Sequence, residues 1–384
     1  MTTSFRTLRN AGDGPPASPR RRRARAAALL AAAFALALAL APRDGVAAPK
    51  QPKPRKAEIA SDSAPDVVTY GRRDDVMQFG AEVAARRGLD AAWLQAALSR
   101  ARYIPNVARF IMPPPVGVAK NWAAYRARFI EPVRIQAGVA FWRANEKWLA
   151  LAEQTFGVPP EVVVGIIGVE TIYGRQMGNF RVLDALATLA FDFPAGRSDR
   201  AAFFRDELES FFVLCASEGI DPLLLKGSYA GALGMPQFMP SSFNRFAVDL
   251  DGDGRVDLHA SAADAIGSVA HFLAEHGWRR GLAPRFGVAP PTDPLERAML
   301  LEPDILPSFS AADFMERGAR LEPIGQSTPS ALALVELLNG NDPPSFVAGT
   351  TNFYAITRYN RSSYYAMAVI ELGEAVASAR GTTR

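Results

Sequence analysis

The chain of 384 residues has a single cysteine, Cys215, so no internal disulfide can form. That thiol closes the apolar run Phe211-Phe-Val-Leu-Cys215, which reads as core rather than as a nucleophile. No hydrophobic run reaches the roughly 20 residues of a membrane-spanning helix. The longest, Ala26 to Ala41, has 16 residues, and no cysteine follows it closely enough to carry a lipid. A basic body is missing too. The formal charge is +4, but residues 1–48 hold eight arginines against Asp13 and Asp44, which leaves the remainder at −2. A nearly neutral body gives no support for nucleic-acid binding. No internal repeat is apparent. Hydrophobic residues make up 49%, enough for a large core divided among two or three subdomains.

The charge excess has a local explanation. Arg20-Arg-Arg-Arg23 with Arg25, the Ala/Leu run and Val46-Ala-Ala48 ahead of Pro49 form the three regions of an export signal spanning 1–48, with a retained anchor as the alternative. Residues 49–65 are Pro-, Lys- and Ala-rich without apolar period, which predicts an extended tether. From Asp75 to Arg102, Val76, Phe79, Val83, Leu89, Trp93, Leu94 and Leu98 fall at helical spacing and predict two short helices. Pro113-Pro-Pro115 breaks the pattern. Trp122 to Phe156 is again helical, and Trp122, Tyr125, Phe129, Phe141, Trp142 and Trp148 are expected mostly in the core, with one or two lining a cleft.

The chemistry concentrates in Val162-Val-Val-Gly-Ile-Ile-Gly-Val-Glu170-Thr-Ile-Tyr-Gly174. β-branched residues favour a strand. However, Pro159-Pro160-Glu161 is a helix start and Gly174 is a candidate stop, which places Glu170 in the last turn or two of a helix. A carboxyl among Val and Ile side chains loses hydration of its charged form and stays protonated near neutral pH, the state a general acid needs. The alternative is an ordinary solvated glutamate on the polar side of the helix. Val182–Leu189 and Ala201–Ala216 predict two more helices, the second with Asp206, Glu207 and Glu209 on its outer face.

Lys226-Gly-Ser-Tyr-Ala-Gly-Ala-Leu-Gly-Met-Pro-Gln-Phe-Met-Pro240 interleaves Gly and Pro with Ser228 and Gln237, as a segment that lets backbone approach a ligand or as a structural turn. Asp249-Leu-Asp251-Gly-Asp253-Gly-Arg255-Val-Asp257 matches the first half of an EF-hand-like loop: acids at positions 1, 3 and 5, Gly at 6 and a carbonyl at 7. Position 12 is Ala260, so Asp264 is the nearest acid to close the shell. A structural cation is expected, Ca2+ or Na+; the alternative is an Asp/Gly-rich turn. Ala262–His276 is helical, 282–347 turns to Pro, Gly and short apolar runs (Ala331–Leu337, Ser345–Val347) that predict strands, Asn352–Asn360 reads as an aromatic strand or loop, and Tyr364–Ala377 as a terminal helix.

Four stretches then carry a resemblance: GIIGVETIYGRQMGNFRVLDALATLAF, GSYAGALGMPQFMPSSF, DLDGDGRVDL with DAIGSVAHF, and FYAITRYNRSSYYAMAV. In this order, over most of residues 70–384, they resemble the lytic murein transglycosylase B family. The resemblance implies a mainly α (α+β) protein: a helical domain at 66–157, a lysozyme-like catalytic core at 158–281 with the acidic loop, a small β-containing domain at 282–350, and a cleft strand or loop with a terminal helix at 351–384. It implies Glu170 as sole acid and base, Ser228, Gln237, Tyr359, Asn360 and Tyr365 as substrate contacts, and Asp249, Asp251, Asp253, the Arg255 carbonyl and Asp264 around the cation. The implied reaction cleaves the bond between N-acetylmuramic acid and N-acetylglucosamine in peptidoglycan, leaving a 1,6-anhydro end and needing no catalytic cofactor. The expected setting is the periplasm, as a monomer on glycan strands, with wall-synthesis enzymes as further partners. A lysozyme-type muramidase and a non-catalytic peptidoglycan-binding scaffold are the alternatives.

Overall fold

The computed structural model describes residues 68–112, 120–196 and 198–382. The expected signal and tether, 1–65, and Pro113–Pro115 lie outside the described residues.

Helices dominate, and local signals set most of their ends. Asp74–Arg87 stops at Gly88 in the left-handed region (φ 66°), and Ala91–Ser99 starts at Asp90, whose carboxylate accepts the Ala92 and Trp93 N–H groups. These are the two short helices expected. The stretch from Trp122 to Phe156 divides into Trp122–Arg126, Pro132–Ala144 and Glu146–Phe156. Trp122, Phe129 and Trp142 are buried there, whereas Tyr125, Phe141 and Trp148 remain half-buried.

The β-branched run is a helix, Pro160–Thr171, in which every residue from Val162 to Thr171 is buried. Helix wins over strand propensity because the segment is enclosed on all sides, so packing rather than χ1 preference decides. Its stop differs from expectation. Ile172 and Tyr173 both take left-handed backbone (φ 51° and 57°) ahead of Gly174 (φ 86°). A left-handed conformation in a β-branched residue costs on the order of 1–2 kcal/mol, so this turn is held by its surroundings. The Tyr173 ring lies against Gly138 and Gly168, where any Cβ would overlap its hydroxyl.

The long terminal helix, Ser363–Thr382, packs along the Glu170 helix at unusually close range. A Cβ on Gly165 would overlap the Val369 carbonyl, and one on Gly373 would overlap the Glu161 carbonyl. Glycine at these two positions lets backbone meet backbone. Val182–Phe191 and Ala201–Ser217 form as expected, but Glu207 and Glu209 are buried rather than outward. Each acid has a partner that makes burial tolerable. Glu207 accepts the Ser241 N–H (2.9 Å) and Oγ–H (2.6 Å), and Glu209 is paired with Arg86 and Arg87.

Asn352–Asn360, expected as strand or loop, is a helix, Thr351–Asn360. Thr350 caps it by accepting the Asn352 N–H, and Phe353, Ile356, Thr357 and Asn360 fall on its buried face at helical spacing. An antiparallel sheet occupies the preceding region in the order Arg320–Leu321, Arg285–Ala289, Asp342–Gly349, Ala333–Asn339, with Phe286 and Leu334 both opposite Ala348. One face of the sheet packs with Leu300, Phe314 and Leu321 into a small core. The other sends Val335, Leu337 and Val347 into the main core.

Gly165→Ala is predicted to destabilise the protein by about 3 kcal/mol or more, because overpacking against rigid backbone has no flexible side chain to yield. Gly219→Ala, in the left-handed region with nothing near its Cβ, costs only the backbone strain of about 1 kcal/mol. Thermal melts of the two variants followed by circular dichroism compare them; equal shifts would refute the packing argument.

Candidate active site

Glu170 lies one residue before the end of its helix and is 9% exposed. The Tyr365 hydroxyl, from the terminal helix, donates to Oε1 at 2.6 Å. Oε2 accepts no protein hydrogen bond, and Glu170 forms no ion pair among the described residues. Burial raises the carboxyl from its ordinary 4.5 to about 7, and the Tyr365 hydrogen bond opposes part of that rise. No neighbouring charge contributes. The direction of the shift is the one expected for a carboxyl taken out of water.

Three phenols share this environment. Burial first, and the charge of Glu170 second, raises the pKa values of Tyr125, Tyr359 and Tyr365, keeping all three protonated. Tyr359 and Tyr365 are stacked at 6.2 Å with planes 16° apart, and the Tyr359 hydroxyl donates to the Pro236 carbonyl at 2.7 Å. Pro236 belongs to the glycine-rich segment, which Thr171 also grips: its Oγ donates to the Met235 carbonyl at 2.8 Å and accepts the Gly174 N–H at 3.0 Å. The acid helix, the segment and the Thr351–Asn360 helix therefore meet at Glu170.

The other expected contacts are less directly joined to it. Gln237 stands in the left-handed region (φ 53°), its amide donating to the carbonyls of Gly234 (2.9 Å) and Met177 (3.3 Å). Ser228 is 9% exposed, and its Oγ accepts the Ala230 and Ala232 N–H groups, which uses its acceptor capacity to shape the turn. Asn360 is 6% exposed, and its buried Oδ1 has no hydrogen-bond partner among the described residues. An orphaned buried acceptor is costly. Thr171 and Met235 were not singled out by the sequence reading, and Tyr125 was named only as one of six aromatics of which one or two were expected to line a cleft. Tyr125 carried one signal, its 122, 125, 129 spacing, which marks a helix face but not which aromatic turns to the carboxyl.

In the acidic loop, carboxylate oxygens of Asp249, Asp251 and Asp264 lie within 4.8 Å of one another. Asp264 is 1% exposed, and burial with the charges of Asp251 and Asp249 pushes its carboxyl up. None of the three forms an ion pair among the described residues. An all-oxygen cluster of like charges fits a hard cation. Asp253 lies outside that cluster: its carboxylate accepts the Arg255 N–H at 2.9 Å and stabilises its own turn. Two contacts couple this loop to the glycine-rich segment. The Leu258 carbonyl accepts the Met235 N–H at 2.8 Å, and His259 Nε2 lies 2.8 Å from the Lys226 carbonyl.

Comparison with known proteins names the class. Residues 71–374 match the family described as Transglycosylase SLT domain. Membrane-bound lytic murein transglycosylase B of Escherichia coli is 38% identical over 360 residues, covering 87% of this chain and 95% of its own. Among solved structures, soluble lytic transglycosylase SltB1 from Pseudomonas aeruginosa is 39% identical with a TM-score of 0.71, over 80% of this chain and 99% of its own. Escherichia coli Slt35, solved in complex with calcium, is 40% identical with a TM-score of 0.70, over 81% and 95%. The chain belongs to the SLT-domain transglycosylase family, with the lysozyme-like, mainly helical fold of these neighbours. It is a lytic murein transglycosylase, a lyase that cleaves peptidoglycan.

The raised carboxyl makes a stability prediction. The folded protein holds a proton at Glu170 that the unfolded chain releases above about 4.5, so this contribution is complete below the ordinary pKa and is lost as pH rises through about 7. The full loss is about 3 kcal/mol. Glu170→Gln is expected to remove it, so that the difference in melting temperature between variant and wild type grows from pH 4.5 to 7.5; a constant difference would contradict a buried, protonated Glu170.

Proposed function

We propose that Glu170 acts first as acid and then as base in a non-hydrolytic cleavage of the bond between N-acetylmuramic acid and N-acetylglucosamine. The single observation that carries this reading is the Glu170 carboxyl, 9% exposed and raised to about 7 by burial, with no second carboxylate or cation contributing among the described residues. Glycosidases that use water generally need two carboxyl groups, one acid and one base or nucleophile. Here the protonated Oε2 gives its proton to the glycosidic oxygen as the bond breaks. The substrate's own acetamido oxygen stabilises the anomeric carbon. The resulting carboxylate, steadied by the Tyr365 hydroxyl at Oε1, takes the proton from the muramoyl O6 hydroxyl. That oxygen closes the 1,6-anhydro ring. An intramolecular hydroxyl outcompetes water because its positioning is worth several kcal/mol. A pKa near 7 suits both halves, since proton transfer in each direction is then nearly balanced.

Tyr359, Asn360 and Gln237 are the groups proposed to hold the sugar and its acetamido group, with Asn360 Oδ1 supplying an acceptor that the protein leaves unmet. Ser228 contributes by shaping the segment and through its remaining hydroxyl proton. Asp249, Asp251 and Asp264 are proposed to hold calcium, supported by their geometry and by the calcium complex of Slt35. The cation's task is structural: it neutralises the loop that braces Met235. The periplasmic face of the envelope is the proposed setting, as the murein substrate requires.

Two experiments follow. Digests of purified murein by the wild type are expected to give muropeptides one water lighter than hydrolysis products by mass spectrometry, and Glu170→Gln is expected to lose about a thousandfold in rate or more. Reducing-end products would assign a muramidase instead. Calcium added after chelation is expected to raise the melting temperature, and Asp264→Asn to abolish that response; an unchanged melt in wild type would remove the cation site.

A further inference from the structure

Thr171 takes the last position of the acid helix, beside Glu170, and is fully buried. Its hydroxyl has one proton and two carbonyls within reach. That of Ile167, one turn back in the same helix, lies at 3.3 Å and is where a helical threonine ordinarily sends its proton. That of Met235, in the glycine-rich segment, lies at 2.8 Å and is the better acceptor by distance. The Met235–Pro236 peptide has no N–H, so its carbonyl oxygen is the one polar handle on that unit. The same hydroxyl accepts the Gly174 N–H at 3.0 Å, and the Thr171 carbonyl accepts the Gln176 N–H at 2.9 Å. These two bonds close the turn in which Ile172 and Tyr173 take positive φ. Gly174 packs on Met235 as well, since a Cβ there would stand 3.3 Å from the Met235 side chain. One buried hydroxyl therefore ties the end of the acid helix, the strained turn and the segment bearing Gln237 at a single point.

We propose that Thr171 is a positioning residue for glycan cleavage: its hydroxyl sets the acid carboxyl in register with the segment that holds the sugar, and so governs turnover through Glu170. The proposal rests on the reading of Glu170 as the acid. Thr171 gives its proton to Met235 and is closed off from solvent, so it does not touch the sugar itself. Tyr359 holds the next carbonyl, that of Pro236, from another helix; the Thr171 bond joins the segment to the acid's own helix. Proton transfer to the glycosidic oxygen needs the two groups about 3 Å apart, and a misplacement of about 1 Å costs up to about a hundredfold in rate.

The test compares Thr171→Val, which keeps the volume and removes the hydroxyl, with Thr171→Ser, which keeps the hydroxyl and removes a buried methyl. Turnover of solubilised glycan strands is measured across pH and normalised to folded protein by circular dichroism. Thr171→Val is expected to lower kcat about tenfold to a hundredfold with KM within about twofold, and Thr171→Ser to recover most of kcat although it loses the methyl. The alkaline midpoint of activity is expected to stay where the wild type has it, because burial and Tyr365 set the acidity of Glu170. Wild-type kcat in Thr171→Val, equal losses in the two variants, a loss confined to KM, or a midpoint that moves with the substitution each overturns the proposal. Should Thr171→Val not fold, Thr171→Cys replaces it, since a thiol is a weak donor and acceptor in the same place; equal turnover of the Cys and Ser variants then overturns the proposal. Glu170→Gln, assayed alongside, keeps the two readings apart: full turnover there sinks the acid assignment, whereas full turnover in Thr171→Val beside an inactive Glu170→Gln sinks the positioning role alone.

Discussion

The structure depends on a contact between two helix backbones. Gly165 on the Glu170 helix meets the Val369 carbonyl, and Gly373 on the terminal helix meets the Glu161 carbonyl. With side chains at those positions the axes would have to separate by an ångström or more, and a hydrogen bond of 2.6 Å between Tyr365 and Glu170 has no slack to absorb that. The same approach buries the carboxyl, which is 9% exposed, beside the Tyr365 hydroxyl. Packing geometry and acidity are therefore one property here: the pKa near 7 follows from how closely two helices lie.

A second constraint runs through the glycine-rich segment, which no regular element supports along most of its length. Hydrogen bonds to neighbouring elements hold it instead, among them Met235 N–H to the acidic loop's Leu258, the Met235 carbonyl to Thr171, and the Pro236 carbonyl to Tyr359. Each links the segment to a different element around the acid. The acidic loop is thus coupled to Glu170 through the fold although its carboxylates take no part in the acid's electrostatics. A cation there would act by rigidity, holding Leu258 in place, rather than by charge on the reacting atoms. The buried Glu207 does the same from the other side by receiving Ser241 just past the segment's end.

The arrangement also explains how one carboxyl can serve both halves of the proposed reaction. Desolvation alone would drive its pKa higher and leave it a poor base; the Tyr365 donor restrains that rise by favouring the charged form. The phenols nearby stay protonated, so they offer donors without adding charge. The strained turn at Ile172 and Tyr173 ends the helix directly after Thr171, which frees Glu170 and Thr171 to face the segment instead of a further helical turn.

Much of this was legible in the residues themselves. Pro159-Pro160 opened the acid helix, the apolar run around Glu170 announced a raised carboxyl, and the short apolar runs after residue 282 formed a sheet, because each is a local signal with a local cause. The signals failed where a distant partner changed the environment. Glu207 and Glu209 looked solvated but were buried by Ser241, Arg86 and Arg87, and Asn352–Asn360 looked extended but was wound into a helix by the core on one side of it. Nothing in the chain order marks Tyr125 as a neighbour of Glu170, or Asp253 as standing apart from Asp249, Asp251 and Asp264. The sequence by itself determined the helix that carries Glu170, the apolar run leading to it and the order of acids in the loop, since those depend on residues within a few positions. Only the tertiary structure decided which hydroxyl reaches the carboxyl, because that bond spans 195 residues and exists only when two glycines let their helices touch.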